Sequence, residues 1–149
     1  MKKLALIIVT LIFSIEGFSQ IYDPVSWTTS VKKISSTEYE LEAIATIEGD
    51  WHLYSQSVPE GGPVPTSFTF ESNGKYLKKG NTKEEKGTTV DDPIFNMKIK
   101  YFGHKATFKQ RIKAKAKGAF KINATVRFMV CNDTQCLPPT VKDIVFEVK

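Results

Sequence analysis

The two cysteines of the chain are the residues whose type and spacing most directly suggest chemistry. Cys131 and Cys136 are separated by four residues, and they are the only cysteines among 149 residues. Two thiols this close along a chain can pair in an oxidising compartment if the backbone allows it. A bridge across so small a ring would stabilise the fold by only about 2 kcal/mol in the chain-entropy model. The spacing alone leaves a structural bridge and a redox-active pair both open.

A metal site is a third interpretation of the pair. Two thiolates supply half of a tetrahedral zinc site, and no C-x-x-C or H-x-x-H motif accompanies them. Cu(I), which prefers soft sulfur ligands, could use both cysteines with Met129 or Met97. His52 and His104 are isolated in the sequence, and before any family is considered we interpret them as surface or turn residues. The preferred interpretation therefore includes no cofactor and no metal.

The first nineteen residues have the pattern of a cleaved secretory signal peptide. Two lysines precede an apolar run over residues 4–15, and small residues stand at positions 17 and 19. The run is shorter than the ~20 apolar residues that a spanning helix needs. We expect residues 1–19 to be removed, leaving residues 20–149 as one exported, periplasmic domain that does not span the membrane.

Apolar and polar residues alternate with period two through most of the chain. The run Glu38–Ile47 has an acidic outer face, for example, and Val141–Val148 has three apolar residues on one face. The stretch Gly80–Asp92 is polar and lacks a period, so it is predicted to be a surface loop. The pattern predicts an all-β, immunoglobulin-like β-sandwich of about eight to nine short antiparallel strands, essentially without helix.

The charge of the chain gives little support to nucleic-acid binding. The formal net charge is +5, and the lysines between residues 78 and 117 are mostly spaced by two. That spacing is typical of the solvated faces of strands, whereas a nucleic-acid surface usually clusters its cations with interleaved aromatic residues. We therefore expect no nucleic-acid partner.

Three segments together resemble the amino-terminal periplasmic domains of DsbD-type thiol:disulfide interchange proteins. The main one is Phe128–Cys131 followed, after four residues, by Cys136–Thr140, which includes a Pro-Pro pair. Trp51–Ser55 resembles the aromatic strand beside the family's active site. Asp91–Phe95 falls where the family carries an acidic loop with a capping phenylalanine. The resemblance extends over the mature chain and implies the same sandwich fold.

The resemblance also implies roles for single residues. Cys136 would form the mixed disulfide with a partner, and Cys131 would resolve it. Phe95 would cap the pair with help from Met97. The residues implied to line the site are Tyr54, His52 and Asp92. Ordinary core packing is the alternative for Phe95 and Tyr54.

The function that follows is a two-electron relay, and thus a thiol:disulfide oxidoreductase. A thioredoxin-like or membrane-embedded thiol reductase would donate electrons, and periplasmic proteins with disulfides would accept them. Full-length family members continue into a membrane conduit and a thioredoxin-like domain, whereas this sequence ends at Lys149, so a separate donor is expected. The alternative is a non-enzymatic module that binds an envelope protein and keeps a structural disulfide, and Cu(I) binding comes third.

Overall fold

The computed structural model describes residues 22–149. The predicted signal peptide lies outside the described residues. The described chain forms eleven β-strands and no helix. The strands are β1 (Val25–Lys33), β2 (Glu38–Ile47), β3 (His52–Tyr54), β4 (Ser67–Phe70), β5 (Tyr76–Glu84), β6 (Thr88–Asp92), β7 (Met97–Gly103), β8 (Lys105–Ala114), β9 (Phe120–Phe128), β10 (Val130–Cys131) and β11 (Thr140–Val148).

The strands form three sheets in which every pair is antiparallel. The first sheet has the order β1-β2-β8-β5, the second β10-β3-β7-β6, and the third β11-β9-β4. The second and third sheets are joined at Met129, which separates the end of β9 from the start of β10. The cysteine pair therefore lies at one edge of the second sheet, directly after the long central strand of the third.

One large hydrophobic core collects the inward side chains of all three sheets. Trp27 on β1 shows how the sheets meet, because its ring lies 5.9 Å from that of Phe68, 5.8 Å from Phe108 and 5.5 Å from Phe128. The alternation of buried and exposed residues along β2, β9 and β11 places apolar side chains in this core. Each large side chain buried there contributes about 1.5–3 kcal/mol to stability. We call this cluster the main core.

The prediction of a surface loop over Gly80–Asp92 is wrong. Strand β5 continues to Glu84 and pairs with β8, and β6 pairs with β7. Both are edge strands with mostly exposed side chains, so backbone pairing holds them without an alternating apolar pattern. The pairing of β5 shifts register between Lys79 and Lys83, and the buried Gln110 amide donates to the carbonyls of Lys79 and Gly80 there. The count of eleven strands instead of eight or nine reflects these edges and the very short β3 and β10.

The described residues contain no helix with the length and apolar character needed to cross a membrane. His104 lies between β7 and β8 and adopts a positive φ of 59° there. That conformation fits the interpretation of His104 as a turn residue. His52 behaves differently and is described with the site.

Candidate functional site

The second sheet has an apolar surface on both of its faces. Because side chains alternate along a strand, Leu53, Phe102 and Val130 point into the main core. Their neighbours Tyr54 and Cys131 lie on the opposite face and form a separate buried cluster with Ile99. We call this second group the disulfide cluster. Its partly buried members are Val58, Phe95, Met97, Tyr101, Met129 and Cys136.

The two cysteines form a disulfide bond inside this cluster. They face each other across a tight hairpin with a Cα–Cα distance of 4.0 Å. The amide of Asn132 donates to the carbonyl of Gln135, and the amide of Leu137 donates to that of Val130, so backbone hydrogen bonds lie on both sides of the pair. The four intervening residues thus form a compact turn that holds the sulfur atoms together.

The two sulfur-bearing residues differ in their exposure. Cys131 is 0 % exposed, whereas Cys136 is only partly buried. The side-chain oxygen of Asn132 accepts hydrogen bonds from the amides of Thr134 and Gln135, which keeps the turn folded back on itself. A reagent approaching from solvent therefore meets Cys136 first.

The segment after β6 is anchored to the cluster through the carboxylate of Asp92. This carboxylate is 3 % exposed. One oxygen accepts the hydroxyl of Tyr54 at 3.0 Å, and the other accepts the amides of Ile94 at 2.9 Å and Phe95 at 3.1 Å. The Phe95 ring then lies edge-on to Tyr54, with 6.1 Å between centroids. Asp92 thus links Tyr54 to the segment that carries Phe95.

Tyr54 is fully buried beneath this segment. Burial, together with the charge of Asp92 and the hydrogen bond to it, raises the pKa of Tyr54 far above its ordinary value. The phenol therefore remains protonated over the physiological range and continues to donate to Asp92.

The expectation that His52 is an ordinary surface residue is wrong, because it is only 9 % exposed. It lies opposite Cys131 in the pairing of β3 with β10. Its ring stacks on Tyr101 at a centroid distance of 4.3 Å and meets Tyr54 edge-on at 5.4 Å. Burial lowers the pKa of His52. His52 thus lies beside Tyr54 and Tyr101 on the face of the second sheet that carries Cys131.

The structure brings all seven sequence-predicted site residues to one face of the second sheet and its flanking segments. Sequence reasoning missed Val58, Ile99 and Tyr101, although the period of two along β7 places Met97, Ile99 and Tyr101 on one face. It also missed Gly62, where an added Cβ would lie 2.7 Å from Val58 Cγ1 and 3.1 Å from Met97 Sδ. The loop after β3 therefore packs against Met97.

Among residues 22–149, no group of three or more histidine, cysteine, aspartate or glutamate side chains is arranged to hold a metal ion. Met97 and Met129, named above as thioether ligands for Cu(I), both pack against the disulfide cluster.

The fold and the cysteine turn define a β-sandwich domain with a disulfide at the edge of one sheet. Residues 24–147 match the family described as "Thiol:disulfide interchange protein DsbD, N-terminal", and the chain belongs to that family. This finding confirms the family that the sequence resemblance indicated. No match was found among curated proteins.

Two solved structures share the fold. One is the reduced DsbD N-terminal domain of Neisseria meningitidis, with a TM-score of 0.54 and 11 % identity, over 87 % of this chain and 96 % of that one. The other is the N-terminal periplasmic domain of ScsB from Proteus mirabilis, with a TM-score of 0.53 and 13 % identity. That match covers 83 % of this chain and 44 % of the ScsB chain. The predicted fold class, an immunoglobulin-like sandwich, is confirmed.

Proposed function

We propose that this chain is an exported thiol–disulfide exchange module that relays two electrons through Cys131 and Cys136. The observation that carries the proposal is the position of the disulfide, which lies in its own small cluster on the face of the second sheet away from the main core. A bridge that closes so small a ring contributes little to chain entropy. Its opening would break a bond that lies outside the main core, as a repeated redox cycle requires.

The unequal exposure of the two cysteines supports an order of events. The thiolate of a partner attacks Sγ of the partly exposed Cys136, the S–S bond breaks, and the buried Cys131 leaves as a thiolate that takes up a proton. A second thiol of the partner then resolves the mixed disulfide. The partner gains a disulfide, and this chain gains two thiols and two electrons. The same steps in reverse reduce an acceptor.

Phe95 acts as the cap of the pair in this proposal, with Met97 beside it. Both side chains pack against the cluster that contains Cys131. The cap segment has a defined attachment, since Asp92 holds the backbone of Phe95 while it accepts the hydroxyl of Tyr54. A partner that displaces Phe95 would expose the disulfide without unfolding the strands below.

The proposed setting is the periplasm, with residues 1–19 as the cleaved signal peptide and residues 20–149 as the mature domain. The periplasmic origin of the ScsB domain with the same fold supports this setting, as does the pattern of basic, apolar and small residues at the start of the chain. The donor would be a thioredoxin-like or membrane-embedded thiol reductase. The acceptors would be periplasmic proteins that carry disulfides.

The reduction potential of the pair tests the proposal. The oxidised protein is equilibrated with glutathione buffers, and its free thiols are trapped by alkylation and counted by mass. A potential of about −180 to −270 mV, the range of exchange proteins, supports the relay. A potential below about −300 mV marks a structural bridge and would favour the non-enzymatic binding module instead.

A cysteine substitution separates the same two functions. In the relay, Cys136→Ala abolishes electron transfer to an oxidised acceptor and lowers stability by no more than the about 2 kcal/mol that so small a ring provides. In the binding module, either cysteine substitution lowers stability and changes nothing else. Cys131→Ala is the matched control, because it retains a thiol that can form a mixed disulfide and cannot resolve it.

A further inference from the structure

We propose that His52 accepts the proton of the Cys131 thiol when the reduced pair closes to the disulfide. This inference rests on the proposed function, since it assigns a role within one half of the exchange cycle. Oxidation of the pair requires Cys131 to attack Cys136 as a thiolate. A buried thiol has no direct access to water, so a proton acceptor within the protein is needed.

The register of the second sheet places the two residues side by side. Cys131 on β10 pairs with His52 on β3, so their side chains leave the sheet on the same face. Residues directly opposite each other in antiparallel strands have Cβ atoms about 4.5–5.5 Å apart. In the reduced protein the imidazole of His52 is long enough, and the free thiol of Cys131 can rotate far enough, to form a hydrogen bond across that distance.

The imidazole is held so that one nitrogen is available. His52 is 9 % exposed, and its Nε2 is buried without a hydrogen-bond partner. We place the proton of the neutral ring on Nδ1, which leaves the unpartnered Nε2 with its lone pair. Stacking on Tyr101 fixes the ring plane. A buried acceptor without a donor is unfavourable, and this cost is relieved when Cys131 carries a proton to donate.

Burial keeps the ring neutral although nearby carboxylates favour its protonated form. Burial is the largest influence and lowers the pKa of His52, while Asp92 on β6, Asp133 in the cysteine turn and Asp50 before β3 oppose it. The other titratable groups that face the ring are the phenols of Tyr54 and Tyr101. At neutral pH the ring therefore has a free lone pair and can take up a proton.

The step balances as follows. At the start of the step Cys136 is joined to an acceptor by a mixed disulfide and lies beside the Cys131 thiol. The proton moves from Sγ of Cys131 to Nε2 of His52, and the thiolate attacks Sγ of Cys136. The Cys131–Cys136 bond forms, the bond to the acceptor breaks, and the acceptor leaves as a thiolate carrying the electron pair. The imidazolium then releases its proton to solvent.

An aromatic disulfide separates this step from the first attack. Reduced protein is mixed with half an equivalent of 5,5′-dithiobis(2-nitrobenzoic acid), and the coloured thiolate is followed by stopped-flow absorbance from pH 5.5 to 9. The first release reports attack by Cys136, and the second reports ring closure by Cys131. Cys131→Ala gives the trace for a single release. The variants are His52→Phe, His52→Gln and, as the control, His104→Asn at the exposed turn.

The wild-type rate of the second release should level off above about pH 6.5, because neutral imidazole is then the base. In His52→Phe and His52→Gln this rate should fall at least tenfold at pH 7, as expected for loss of a general base. In these two variants the rate of the second release should rise about tenfold per pH unit toward pH 8.5, in proportion to the thiolate fraction of Cys131. The rate of the first release should not change in either variant. His104→Asn should show the wild-type rates of both releases.

A second release with the wild-type rate and pH profile in both His52 variants would overturn the role of His52 and leave the relay intact. Absence of a second release in the wild-type protein would instead overturn the relay itself. Circular dichroism at each pH shows whether a variant is folded, and His52→Gln, which retains a polar side chain without a base, covers the case in which His52→Phe disturbs packing.

Discussion

Removal of the Phe95 side chain should make the disulfide easier to reduce. The ring is partly buried against the disulfide cluster and meets Tyr54 edge-on. An aromatic pair of this kind contributes about 0.5–1.5 kcal/mol, and the partial burial of the ring adds a fraction of the 3–5 kcal/mol that a fully buried phenylalanine loses on truncation. If the ring holds the site closed by about 1–2 kcal/mol, its removal raises the population of the open site by about 5- to 30-fold.

The rate of reduction by dithiothreitol measures this effect. Oxidised wild-type and Phe95→Ala proteins are mixed with the reductant, quenched with acid, alkylated and weighed, and we expect the rate constant to rise by that factor. Ile94→Ala is the matched control, because Ile94 is 43 % exposed and its backbone amide remains bonded to Asp92. A rate for Phe95→Ala within twofold of wild type, or an equal acceleration in Ile94→Ala, would refute the assignment of Phe95 as the cap.

Three further perturbations follow from the contacts of the site. Asp92→Ala should lower the free energy of unfolding by about 2–4 kcal/mol, since it leaves three donors without an acceptor, and Asp92→Asn should cost less in a urea titration. Because burial lowers the pKa of His52 in the folded state, the unfolded state binds more protons below pH 6.5. Stability should therefore fall as the pH drops from 7 through that window, and the slope should be smaller in His52→Phe; an unchanged slope would contradict this assignment. Gly87→Ala should cost about 1–3 kcal/mol by overpacking, since its Cβ would lie 2.7 Å from the carbonyl oxygen of Tyr101. Gly103→Ala, which meets nothing within 4 Å, should not share this loss.

The sequence predicts the sandwich well where one face of a strand is buried. Along β2, β9 and β11 the period of two carries the burial pattern directly. It fails over β5 and β6, because these edge strands are held by backbone hydrogen bonds and expose most of their side chains. No pattern of side chains records such pairing, so a polar strand and a polar loop look alike.

The site was predictable to a different extent. The cysteine spacing identifies the turn, and the family resemblance gathers Phe95, Tyr54 and His52 around it. The disulfide cluster also draws on Val58 and Tyr101, which come from separate segments and meet only because β3 pairs with β7. Such contacts depend on the strand order of the folded sheet, which local sequence does not contain. The roles of the individual residues in exchange stay predictions.

The two apolar faces of the second sheet have a consequence for how this domain can vary over evolution. Leu53, Phe102 and Val130 pack one face of the sheet against the main core. The disulfide cluster on the opposite face is small and assembled partly from loop residues. Substitutions that change the reactivity of the cysteines can accumulate on the face that carries the disulfide cluster without changing the residues that pack against the main core. Relatives of this domain can therefore differ around the cysteines and still retain the part of their folding stability that the main core provides.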